Sequence, residues 1–130
     1  MSDYLLVKKC LEGAFPWGAE QVAAKEKKWR DEAEYLDIEY DESGNEWLLV
    51  SQVFIPRVFG ESDPSEKMLS ESSRFIECLL NLSRDSIDDL VLSRIVDNLL
   101  GYPDRWVAFE PFAGPRLRAL IERQSPYYRT

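Results

Sequence analysis

Histidine is absent from all 130 residues of the chain. Its absence removes Ser-His-Asp and Cys-His catalysis, the common zinc sites and the usual proton shuttle near neutral pH, so few enzyme types remain open. Glycine is scarce and scattered, with six residues at positions 13, 18, 44, 60, 101 and 114, and nowhere gathers into a phosphate-cradling loop. No apolar run approaches the roughly 18 consecutive residues that would span a bilayer. The start, MSDYLLVKKCLEGAF, lacks a basic leader before a long apolar run and a small-residue cleavage site. These gaps lead to the expectation of a soluble, cytoplasmic protein with no membrane contact. Two cysteines, Cys10 and Cys78, stand 68 residues apart in ordinary apolar or amphipathic sequence, and read as small core residues rather than as a bridge or redox pair. Basic residues are also outnumbered, 16 against 24 acidic ones for a net charge of -8. That balance argues against nucleic acid as a partner, because phosphate binding needs a basic stripe. No motif calls for a cofactor.

The acidic excess is concentrated. Residues Asp31 to Glu46 (DEAEYLDIEYDESGNE) hold eight carboxylates and no Lys or Arg, while the other 114 residues carry 16 acidic and 16 basic side chains and balance. A local field of one sign, with aromatics set among the charges, suits a surface that grips a basic protein. The candidate contact residues are Tyr35, Asp37, Glu39, Tyr40, Asp41, Glu42, Glu46 and Trp47. A calcium-loop reading of Glu39-x-Asp41-x-Ser43-Gly44 fails at its twelfth position, which is Val50 where a bidentate carboxylate is required. Asp37 and Glu39 would share one face of a strand, but acid-base catalysis needs a cleft that perturbs one of them, and nothing in the sequence suggests one. The plainer reading of the block is a solubilising, solvated turn.

The length suits one domain over residues 1–130, and 45% hydrophobic residues can supply its core. The fold class is mainly α, with about five helices and a small two-stranded hairpin. Ser2 and Asp3 cap a first helix to about Glu12, with Gly13 and Pro16 beyond it. A second helix starts near Gly18, with Val22, Trp29, Ala33 and Leu36 on one face and Lys25, Lys27, Lys28 and Arg30 mostly off it. Its lysines would pair with Glu20, Glu26 and the other carboxylates of the same helix. Over 35–54, Leu36, Ile38 and Tyr40 alternate with acids, residues 42–45 read as a turn, and the run from Trp47 to Phe54 is rich in strand formers. A hairpin with Tyr40 opposite Trp47 follows, against the alternative that the second helix runs on through Tyr40. Residues 56–62 are expected to be a loop. Asp63-Pro64-Ser65-Glu66 reads as a capping box opening a helix on Met68, Leu69, Ser72, Phe75, Ile76, Leu79 and Leu80. Ser86 with Asp89 caps the next, which ends at Leu100 and is expected to be the central, most buried helix. One or two turns over 103–112 and a last helix from Gly114-Pro115 to Arg123 complete the chain.

The back half carries a resemblance. Phe75, Leu79 and Leu80 in one helix, Asp88-Asp89 opening the next, Leu99 near its end, and Gly114-Pro115 before Arg118-Ala119-Leu120 look like a helical domain found among small bacterial immunity proteins, encoded beside contact-dependent or polymorphic toxins. The resemblance covers about Pro64 to Arg123. It implies a noncatalytic, cytoplasmic protein that binds one cognate toxin tightly, often by occluding a basic active-site cleft with an acidic surface; nuclease toxins, whose substrate clefts are basic, are the natural targets. The competing reading is a structural or adaptor module, in one form a homodimer, whose acidic run only aids solubility. Oligomeric state is left open.

Overall fold

The computed structural model describes residues 1–60 and 63–128. Seven helices account for its architecture among those residues, and no strand occurs. Helix α1 (Asp3–Ala14) is capped by Ser2, whose hydroxyl accepts from the Leu5 N–H at 3.2 Å. It buries Tyr4, Val7, Cys10, Leu11 and Ala14 at intervals of three and four, and includes Gly13 rather than ending before it. Helix α2 (Gly18–Tyr35) buries Gly18, Val22, Glu26, Trp29 and Ala33. Leu36 was expected to extend this stripe, but the helix stops one residue before it and leaves it exposed.

The hairpin expected over 35–54 does not form. The alternating Leu36, Ile38 and Tyr40 lie in a non-helical loop, 36–45, and residues 46–59 make one continuous helix, α3. That helix runs through Glu46–Leu48, a wide π-type stretch Leu49–Phe54, and Ile55–Phe59. Its buried residues are Leu49, Val50, Val53, Phe54, Val58 and Phe59, paired positions repeating every four to five residues rather than every two. Strand propensity spans only about 1 kcal/mol, whereas each large side chain buried yields roughly 1.5–3 kcal/mol, so the packing period decides. Of residues 56–62, expected to be loop, 56–60 belong to this helical stretch and its end, and 61–62 lie outside the described residues. The wide turn just before Pro56 has already changed the hydrogen-bond register where the proline lacks an N–H.

Helix α4 (Glu66–Asn81) starts two residues later than the expected Asp63 cap. Ser65 is the capping residue, its hydroxyl accepting from the Met68 N–H at 3.1 Å. The stripe is otherwise as read, with Leu69, Ser72, Phe75, Ile76 and Leu79 buried. Residues 85–100 form α5, again with a π-type stretch, Val91–Val96, which brings Leu90/Val91 and Ile95/Val96 to one side although they are five apart. Ser86 does not cap it, and instead donates to the Asp3 carboxylate, which also pairs with Arg84 at 2.7 Å. Helix α6 (Pro103–Phe109) leads through a 3-10 turn, Glu110–Phe112, into α7 (Pro115–Gln124), followed by a turn at Ser125–Tyr128.

The centre is held by α4, which packs against α1, the end of α3, α5 and α7. Expectation put α5 there. That helix buries six apolar side chains, but it packs chiefly on α4 and α6. Phe15, Phe54 and Phe75 meet at the core with ring centroids 4.7–6.0 Å apart. Glu77 of α4 caps α7 by accepting from the Arg116 and Leu117 N–H groups at 3.1 and 2.9 Å, and a side chain at Gly114 would collide with it.

The reading of the cysteines is corrected. Cys10 and Cys78 are disulfide-bonded, joining α1 to α4 with a Cα–Cα separation of 5.8 Å. Distance along the chain concealed the pairing, because only the packing of α1 on α4 brings the two positions together.

Candidate acidic docking surface

The outer end of α2 and the loop after it form the site. Its position is set from below by a charge inside the α2 stripe. Glu26, only 8% exposed, accepts from the Tyr4 hydroxyl at 2.8 Å and from Lys8 Nζ at 3.0 and 3.2 Å, both on α1. The sequence reading paired Glu26 with lysines of its own helix, but its cation comes from α1. Burial works to raise the Glu26 carboxyl, yet the Tyr4 hydroxyl and the Lys8 ammonium outweigh it and hold the carboxyl below its usual range. Burial first, and then the facing carboxylate, push the Tyr4 phenol well up. This network locks α2 against α1.

Helix α2 ends in a Schellman motif with Asp37 in the left-handed region (φ 53°) where glycine is usual. The Ile38 N–H reaches Ala33 O at 3.0 Å and the Asp37 N–H reaches Glu34 O at 3.1 Å. Asp37 tolerates this backbone better than a branched residue would. The reversal turns Leu36 and Ile38 outward. Tyr35, Leu36 and Ile38 are 89%, 62% and 61% exposed, three large apolar side chains in four residues, with Asp31, Glu32, Glu34, Asp37, Glu39 and Asp41 exposed around them. Farther along, the Asp41 carboxylate accepts from the Ser43 N–H at 2.9 Å, a contact that holds its carboxyl below the usual range. Gly44 (φ 89°) then turns the chain into α3.

The eight residues singled out from sequence divide into two sets. Tyr35, Asp37, Glu39 and Asp41 face solvent, whereas Tyr40, Glu42, Glu46 and Trp47 are partly buried. The Arg30 guanidinium lies over the Tyr40 ring at 5.3 Å and that of Arg94 over Trp47 at 5.1 Å, so these two aromatics are engaged within the protein. Tyr40 Oη and Glu46 Oε2 are buried with no hydrogen-bond partner among the described residues, a local cost of the kind tolerated near functional segments.

Of the eight carboxylates in the block, only Asp31 forms an ion pair among the described residues, with Lys27 at 2.8 Å. The other seven carboxylates form no ion pair among the described residues. A shallow cleft of about 360 Å³ lies among Trp29, Ala33, Ile38, Tyr40 and Leu48, with Glu32, Glu39 and Asp41 also on its walls. Sequence reading missed Leu36 and Ile38 because their alternation suited a strand with its apolar face inward. Their signal was the Asp37 stop between them. No group of three or more His, Cys, Asp or Glu side chains among the described residues is arranged to hold a metal, and the twelfth position of the calcium-like motif, Val50, lies in the core. What the surface offers chemically is a mainly acidic collar around an apolar centre, with Lys27 and Lys28 on its α2 side, matched to guanidinium and ammonium groups on apolar stems.

Comparison with known proteins finds no family model, no curated protein and no solved structure that matches the chain.

Proposed function

We propose that the chain is a noncatalytic inhibitor of immunity type, which neutralises a cognate bacterial toxin by setting the outer end of α2 and loop 36–45 against a basic cleft. The reading rests on one observation: the exposed Tyr35, Leu36 and Ile38 are ringed by carboxylates of which, among the described residues, only Asp31 forms an ion pair. An apolar centre within a charged rim is how hot spots are built. The rim also holds Lys27 and Lys28 beside Tyr35 and Leu36 on the α2 side, but carboxylates outnumber them, so that joining two such faces brings like charges together and a basic partner is favoured. Nuclease toxins have basic substrate clefts and are the natural targets. That preference sets the adaptor or homodimer alternative second.

Location is a separate matter. No helix among the described residues is long and apolar enough to cross a membrane. A lasting disulfide belongs to oxidising surroundings, so the bridge runs against the cytoplasmic expectation.

The test first asks whether a gene neighbouring this chain's encodes a toxin domain, and then follows association of that domain with the chain by stopped flow or biosensor. Raising salt from low to physiological strength is expected to slow association several-fold. Asp37→Lys with Glu39→Lys and Asp41→Lys is expected to weaken binding by more than about tenfold, mainly through the on-rate. Tyr35→Ser with Leu36→Ser and Ile38→Ser is expected to act through the off-rate instead. Binding that ignores salt and both triple variants overturns the docking surface.

A further inference from the structure

On the far side of α1 from this face, the bridge itself lies in a small cationic cleft. About 220 Å³ in volume, the cleft is lined by Lys9, Gly13, Ala14 and Arg74 together with both cysteines. No acidic side chain lines it, although the chain carries a net charge of -8. Neither Lys9 nor Arg74 forms an ion pair among the described residues, and both are exposed. The two cysteines differ in access, Cys78 being exposed and Cys10 only 5% exposed.

We propose that the Cys10–Cys78 bridge is a thiol-exchange site selective for small anionic thiols, entered through Cys78. A thiolate carrying a second acidic group is drawn to Lys9 and Arg74 and attacks Cys78 Sγ. A new S–S bond forms there, the Cys10–Cys78 bond breaks, and the electron pair leaves on Cys10 Sγ as a thiolate. The same two cations stabilise that departing thiolate. A second small thiolate then attacks the outer sulfur of the mixed disulfide. It leaves as the oxidised small disulfide, and Cys78 is released as a thiolate; water supplies protons to both cysteines. Two electrons pass from the small thiols to the bridge, and the reductant is the anionic thiol itself. Because the cleft is small, about 220 Å³, and bears two cations, the ligand class is a low-molecular-weight thiol bearing a carboxylate or sulfonate.

The charge of the whole chain and the charge of the cleft make opposite forecasts, which gives the experiment its force. The oxidised full chain is mixed at low ionic strength with 2-mercaptoethanesulfonate, 2-mercaptoethanol or cysteamine at equal thiolate concentrations, and adducts are followed by intact mass and peptide mapping. The sulfonate is expected to react fastest, about 3–10-fold faster than cysteamine, with the adduct on Cys78. The preference should vanish in Lys9→Gln with Arg74→Gln and in high salt. Should that variant lose its helical circular dichroism, the salt dependence of the unaltered protein decides. Equal rates, a preference for cysteamine, an adduct on Cys10, a preference that survives high salt, or no adduct without denaturant each overturn the proposal.

Discussion

Glu26 is a carboxylate in the place of a core residue, and its neighbours make that tolerable. A buried carboxylate without partners would shed its charge; here one hydroxyl and one ammonium from α1 keep it ionised. Removing one charged hydrogen bond from such a site typically costs about 1.5–3 kcal/mol. Tyr4→Phe is therefore expected to lower stability by that amount, measured by urea unfolding at pH 7. The sign of the pH effect follows from the direction of the shift. A carboxyl held below its ordinary value of 4.5 contributes stability that is complete above that value and is lost as pH falls through the folded-state value. Asp3, held down first by Ser86 and then by Arg84, adds a loss in the same acid window. Between about pH 5 and 3 the unaltered protein is expected to lose more stability than Tyr4→Phe, whose Glu26 is less shifted. Identical acid profiles would remove Glu26 from this account.

At the scale of the element, α2 ends against its own interest. Asp31, Glu32 and Glu34 crowd its last turns, no basic residue stands in the last turn, and the negative end of the helix dipole repels them. Asp37 adds a left-handed backbone that glycine would adopt without strain. Helix stability alone would not select this arrangement, whereas a surface that must present acids would. Asp37→Gly is expected to raise stability by about 0.5–1 kcal/mol and Glu34→Lys by about 0.3–1 kcal/mol, read from thermal melts. If the proposed inhibitor function holds, Glu34→Lys should in addition weaken binding to the basic partner. Gains in stability without any loss in binding would show that the acids serve no partner. The same element shows how far local pattern carries: Val22, Trp29 and Ala33 were legible as its buried face, while its end was not, because the stop depends on two backbone hydrogen bonds rather than on glycine.

For the whole molecule, the bridge and the charge distribution matter most. Joining positions 68 apart restricts the unfolded chain, and the loop-entropy relation puts the effect at about 4 kcal/mol. Reduction, or Cys10→Ser with Cys78→Ser, is expected to lower unfolding free energy by an amount of that order in urea titrations. The helical spectrum should persist, since the core is otherwise apolar and continuous from Tyr4 to Ile121. A change below about 1 kcal/mol would mean that the unfolded state is already compact. The acidic surface at the end of α2 and the cationic cleft are both departures from the average charge. The first was visible as a run of residues. The second was not, because Lys9 and Arg74 come from different helices.

Residue order alone settled the helical class, the buried stripes of α2 and α4, the start of α7 at Gly114-Pro115 and the concentration of acid between Asp31 and Glu46, because each is written within a few turns of chain. Packing decided that residues 46–59 would be helix, since the burial of Leu49, Val50, Phe54 and Val58 outweighs their strand preference. It also sent Tyr40 and Trp47 inward beneath Arg30 and Arg94, turned Leu36 and Ile38 out, and bonded Cys10 to Cys78. These outcomes depend on which surfaces meet across the core, and that information resides in the contacts between helices rather than in any one stretch of sequence.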